Sequence, residues 1–93
     1  MLTEAEHQEI VSILRDWAEL VPDVPLVSFL RYATEESPIG LTPRQLAAAA
    51  AERTPDGQAL LEILEHGLRR EGMETMRRRF TEMRRYTEIE VDW

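Results

Sequence analysis

The sequence predicts an all-α protein, a compact bundle of about five short helices followed by a short extended C-terminal tail. Apolar residues recur at three- and four-residue steps through most of the chain, the period of an amphipathic helix. Threonines stand just before several of these segments, where their hydroxyls can cap a helix. A chain of 93 residues with 43% apolar residues has room for one modest core, so we expect a single domain, 1–93.

The first predicted helix covers about residues 4–20. Thr3 and Glu6 have the spacing of a capping box, and the apolar face is broad enough to be mostly buried. Pro22 ends the helix. His7 is aligned with the apolar side, which favours a capping or core-edge histidine.

Two further helices are predicted in the middle of the chain. The second covers about 24–36 and begins at Asp23, a suitable N-cap. The third covers about 43–53 and is capped by Thr42. Its alanine run, Ala47–Ala51, leaves little side-chain bulk, so we expect it to pack closely against its neighbours as a central helix.

The fourth predicted helix covers about 55–71, between the cap Thr54 and the terminating Gly72. Leucines form one of its faces, and Gly67 falls within that face despite its cost of about 1 kcal/mol in a helix. A close contact between helices is the expected reason.

The fifth predicted helix covers about 73–86, and the alternating residues 87–93 form the predicted tail. Its apolar residues make a narrow seam with spacings of three, four and three: Met73, Met76, Phe80 and Met83. The seam fits either an exposed interaction surface or part of the core. On a helical projection Arg77 flanks one side of the seam and Arg79 the other, while Arg78 points away from it.

Charge is unevenly distributed along the chain, whose net charge is −7. Residues 1–37 hold eight acids against two arginines, whereas residues 69–86 hold seven arginines against three acids. Every basic residue is arginine. Two explanations fit the absence of lysine: a compositional bias, or a requirement for planar guanidinium groups that bind carboxylates or phosphates.

The segment from Leu41 to Ala50 resembles the opening helix of many DNA-binding domains of the helix-turn-helix type. A helix that enters the major groove presents Arg, Lys, Asn or Gln near its start. The helix that follows begins with Pro55, Asp56 and Gly57, and only Gln58 there is suited to reading a base. We therefore do not expect nucleic-acid binding.

The sequence holds no strong pattern for catalysis or for a metal site. It has no cysteine, no nucleophile motif and no glycine-rich phosphate loop. Glu4 and His7 have a spacing found in di-iron helical bundles, but those bundles need carboxylates from several long helices. We expect no enzymatic activity, no metal, no cofactor and no small-molecule substrate.

The leading functional hypothesis is a non-enzymatic protein–protein interaction module, an adaptor or assembly domain. It uses the arginine-rich fifth predicted helix and the acidic N-terminal half, and it binds a protein partner or a second copy of itself. Death-fold-like adaptor domains are similar in length and helix count. The predicted partner-binding residues are Arg77, Arg78, Arg84, Arg85, Met76, Phe80, Met83 and Trp93.

Two alternatives stay open at this point. A small acidic inhibitor or nucleic-acid mimic, for example one encoded by a phage, would use residues 1–37 to block a basic groove. The second alternative, and the third hypothesis in all, is a helix-turn-helix DNA-binding protein. The acidic, polar N-terminus and the lack of a long apolar run favour a cytoplasmic protein without a membrane segment.

Overall fold

The computed structural model of the chain describes residues 1–23 and 41–82. These residues form four α-helices and no strand. The helices are α1 (Glu4–Leu20), α2 (Pro43–Glu52), α3 (Pro55–Glu71) and α4 (Met73–Glu82). The predicted helix 24–36, the end of the fifth predicted helix at 83–86 and the predicted tail 87–93 lie outside the described residues, so the count of five helices and the tail stay predictions.

Threonine caps begin three of the helices, as the sequence predicts. The Thr3 hydroxyl accepts the Glu6 N–H at 3.1 Å, and the Glu6 carboxylate accepts the Thr3 N–H at 2.9 Å. Thr42 and Gln45 repeat this reciprocal capping box at the start of α2. These bonds satisfy backbone donors that a helix leaves unpaired in its first turn.

The helix ends follow from backbone conformation. Val21 is the extended C-cap of α1, directly before Pro22. α2 ends at Glu52, slightly earlier than predicted, because Arg53 has a left-handed conformation with φ 53°. Gly72, at φ 91°, ends α3 where the sequence places its end.

The core lies between α1, α2 and α3, with α4 against α1 and α3. α2 packs on both α1 and α3, as expected of a central alanine-rich helix, and its Leu46 and Ala50 are fully buried. Without bulky side chains, the backbone of α2 can approach its neighbours closely.

α3 lies very close to the backbone of α2 at Gly57. A Cβ atom at this position would lie 1.9 Å from the carbonyl oxygen of Ala49 and 2.8 Å from the nitrogen of Ala50. Such distances are impossible without moving backbone, so glycine is required here. The helical pattern predicts a close contact at Gly67, which is also buried, but it gives no such indication for Gly57.

The apolar seam of α4 belongs to the core. Met76 is 0% exposed and Phe80 is 1% exposed. The Phe80 ring meets Trp17 of α1 edge to face, with centroids 5.5 Å apart and an angle of 71° between the rings. Met76 and Phe80 are therefore core residues. Both were predicted to bind a partner, but in this structure neither has an exposed surface for one.

Among the described residues, no helix combines the length and the apolar character needed to cross a membrane.

Candidate functional site

The three consecutive arginines of α4 point in three directions, because successive residues of an α-helix are about 100° apart. Met76 and Phe80 face the core, so Arg77 projects toward α1 and Arg79 toward the end of α3. Arg78 lies on the remaining, outward side. This arrangement confirms the helical projection drawn from the sequence.

Arg77 binds two carboxylates of α1. Its Nη1 donates to Asp16 and its Nη2 donates to Glu9, each at 3.3 Å. The side chains of Arg77, Glu9 and Asp16 are 41%, 49% and 65% exposed, so water reaches all three. Arg77 thus links α4 to α1 through a solvent-accessible ion pair.

Arg79 binds the carboxylate of Glu71 at the end of α3. Its Nε and Nη2 donate to the two oxygens of Glu71 at 2.7 Å each, a bidentate geometry that holds the guanidinium plane in one orientation. This pair spans the turn at Gly72 and joins α3 to α4.

Arg78 differs from both of its neighbours. It is exposed and forms no ion pair with any residue in the ranges 1–23 and 41–82. The predicted site residues Met83, Arg84, Arg85 and Trp93 lie outside those ranges. Two of the arginines predicted to bind a partner, Arg77 and Arg78, lie within the described residues. Arg77 is bound by acids of α1, whereas no acid of the described helices binds Arg78.

A second set of ion pairs joins the start of α1 to the α2–α3 turn and to α3. Glu4 accepts a hydrogen bond from Arg53 at 3.1 Å. Glu6 accepts two from Arg69, at 2.5 and 3.0 Å. These partners could not be predicted from the spacing of charges along the chain, because the paired residues are 49 and 63 positions apart.

The Glu6–Arg69 pair shifts the pKa values of both groups in opposite directions. The hydrogen bonds from Arg69, with a further one from the Thr3 backbone N–H, lower the pKa of Glu6 to about 2. The same contact with Glu6 raises the pKa of Arg69 above its usual value. Glu6 therefore keeps its negative charge to a lower pH than an ordinary glutamate does.

The acidic N-terminal part of the chain and the later arginines neutralise each other in part within the folded protein. Four acids of α1 each bind an arginine of a later element: Glu4, Glu6, Glu9 and Asp16. Much of the acidic character of α1 is thus balanced within the chain.

His7 lies at the edge of the core, as expected from its alignment with the apolar stripe. It is 7% exposed, and its Nε2 is 2.9 Å from the carbonyl oxygen of Ala50, near the C-terminal end of α2. With Nε2 as the donor, the imidazole satisfies a carbonyl that the end of the helix leaves without a backbone partner.

A cavity of about 460 Å³ lies beside His7, between the start of α1 and α3. Arg53, Leu61 and Glu65 contribute to its lining. The part of the chain that the structure describes contains no group of three or more His, Asp or Glu side chains arranged to hold a metal ion.

Within α4, the outward side that carries Arg78 is the candidate site, because acids of α1 and α3 bind the guanidinium groups of Arg77 and Arg79. Comparison of the chain with protein-family models, curated proteins and solved structures finds no match.

Proposed function

We propose that this protein is a non-enzymatic protein–protein interaction module in which the outward side of α4 contacts an acidic protein surface. The observation that supports this most directly is the state of Arg78, which is exposed and not bound by an acid of the described helices. Burial of Met76 and Phe80 and the bidentate Arg79–Glu71 contact hold α4 in one orientation, so its outward side stays accessible.

Guanidinium groups suit such a contact. Arginine is weakly hydrated and carries a planar fork of donors that matches a carboxylate, which is why it is favoured over lysine at interfaces. Arg84 and Arg85 lie outside the described residues and are further partner-binding residues in this proposal.

A second copy of the chain is a partner with the required chemistry. Glu19, Asp56 and Glu62 are exposed and form no ion pair within the described residues. A contact between Arg78 of one copy and such an acid of another copy is heterologous, since it joins two different surfaces. Such contacts build open assemblies or rings, as expected of an assembly domain.

The test is the oligomeric state at low and high salt, measured by size-exclusion chromatography with light scattering. We expect self-association at low ionic strength that weakens as salt screens the charges. Arg78→Glu should give a monomer at low salt and leave the helical circular-dichroism signal unchanged.

The matched control is Arg44→Glu, which makes the same charge change at an exposed position of α2. It should self-associate like the wild type. A wild-type monomer at low salt, or equal behaviour of the two variants, would contradict the proposal.

The other two functional predictions have less support. An acidic inhibitor or nucleic-acid mimic needs free carboxylates, whereas Glu6, Glu9 and Asp16 already bind arginines of the same chain. A DNA reader needs basic or amide side chains at the start of α3, where Gly57 is buried and Asp56 is acidic.

A further inference from the structure

We infer that Glu9 and Asp16 are an internal competitor for Arg77, so that an acidic protein segment must displace them before it can use this arginine. The inference rests on the proposed function, because it names how the same arginine helix is regulated. It is carried by the two hydrogen bonds that Arg77 donates, one to each carboxylate.

The arrangement of α1 explains why both acids reach the same guanidinium. Glu9 and Asp16 are seven residues apart, which is about two helical turns, so they lie on the same side of α1. Arg77 projects from α4 between them and donates a different nitrogen to each.

This contact is weak enough to be displaced. All three side chains are at least 41% exposed, and ion pairs in contact with water contribute little because their hydration is nearly as favourable. The position of α4 also does not depend on the contacts of Arg77 with Glu9 and Asp16, because the buried side chains of Met76 and Phe80 hold this helix against the core.

The contact between Arg79 and Glu71 is harder to displace than that of Arg77. Its bidentate contact with Glu71 is shorter, at 2.7 Å, and the Glu71 side chain is 23% exposed. The outward side of α4 therefore offers Arg78 at once, and Arg77 becomes available only when its acids are replaced by those of a partner.

The experiment measures binding of a 20-residue poly-L-glutamate peptide to the full chain at pH 7 and low salt, by NMR titration of the labelled protein. The variant Glu9→Gln/Asp16→Asn removes both carboxylates and leaves Arg77 in place. Its control, Asp23→Asn/Glu52→Gln, removes two negative charges from exposed acids that do not bind Arg77.

We expect the first variant to bind the peptide about threefold more tightly than the control, the order of magnitude of an exposed ion pair. Adding Arg77→Gln to the first variant should cancel the gain. Equal binding by the two double variants, no binding by either, or a gain that survives Arg77→Gln would overturn the inference.

Failure here is distinguishable from failure of the proposed function. The proposed function depends on Arg78 and is read from the salt-sensitive oligomeric state. The internal competitor depends on Arg77 and is read from the difference between two variants of equal net charge.

Discussion

Replacing Gly57 by alanine tests the close approach of α3 to the backbone of α2. The added methyl group would lie 1.9 Å from the Ala49 carbonyl oxygen and 2.3 Å from its carbon, whereas ordinary contact begins at 3.4 Å. Because the atoms in the way belong to the backbone of α2, no side-chain rotation can relieve the clash. α2 and α3 must move apart.

The expected cost follows from two opposing effects. Alanine gains at most about 1 kcal/mol over glycine from helix propensity. Overpacking of a core typically costs about 1–3 kcal/mol and occasionally more, and a clash with backbone lies at the upper end. The net expectation is a loss of about 2 kcal/mol, which lowers Tm by roughly 8–16 °C in a domain of this size.

Thermal unfolding followed by circular dichroism measures this difference. The control is Gln58→Ala, at the next and exposed position of the same helix, where the change should stay within about 0.5 kcal/mol. A Tm for Gly57→Ala equal to or above that of the wild type would refute the reasoning, since α2 and α3 would then not approach as closely as described.

Three further changes test the core, a helix cap and an ion pair. Phe80→Ala should cost about 3–5 kcal/mol in urea denaturation because it empties a site that is 1% exposed; a loss below about 1 kcal/mol would contradict this burial. Thr54→Ala removes the acceptor of the Gly57 N–H, 3.2 Å away, and should lower the free energy of unfolding by about 1 kcal/mol, whereas an unchanged urea midpoint would argue against the cap. The pKa of Glu6 is lowered to about 2 in the folded protein, so its contribution to stability is complete above the unfolded value near 4.5 and is lost as the pH falls toward 2. The Tm difference between wild type and Glu6→Gln should therefore shrink from pH 7 to pH 2.5, and a constant difference would show that the contact with Arg69 is not formed.

Local signals predicted most of the described secondary structure. The capping boxes at Thr3 and Thr42 operate within four residues, and Gly72 ends α3 through its own backbone conformation. Because such interactions involve only neighbours along the chain, residue type and spacing are enough to find them.

The orientation of α4 was also predictable in part. The spacing of the seam placed Arg77, Arg78 and Arg79 on three different sides, and the ion pairs agree with that projection. The period of a helix determines which residues share a side, but it leaves open whether the apolar side meets the core or a partner. Burial of Met76 and Phe80 decided this.

The sequence by itself determined where the described helices begin, which side of each is apolar, and that acids and arginines occupy opposite parts of the chain. Only the tertiary structure decided which charges meet. Glu6 finds Arg69, 63 residues away, and Arg77 lies between Glu9 and Asp16 rather than free for a partner. It also decided that the backbone of α2 lies close against Gly57. The physical reason is that these contacts depend on the packing of one helix against another, which the spacing of residues within a single helix does not specify.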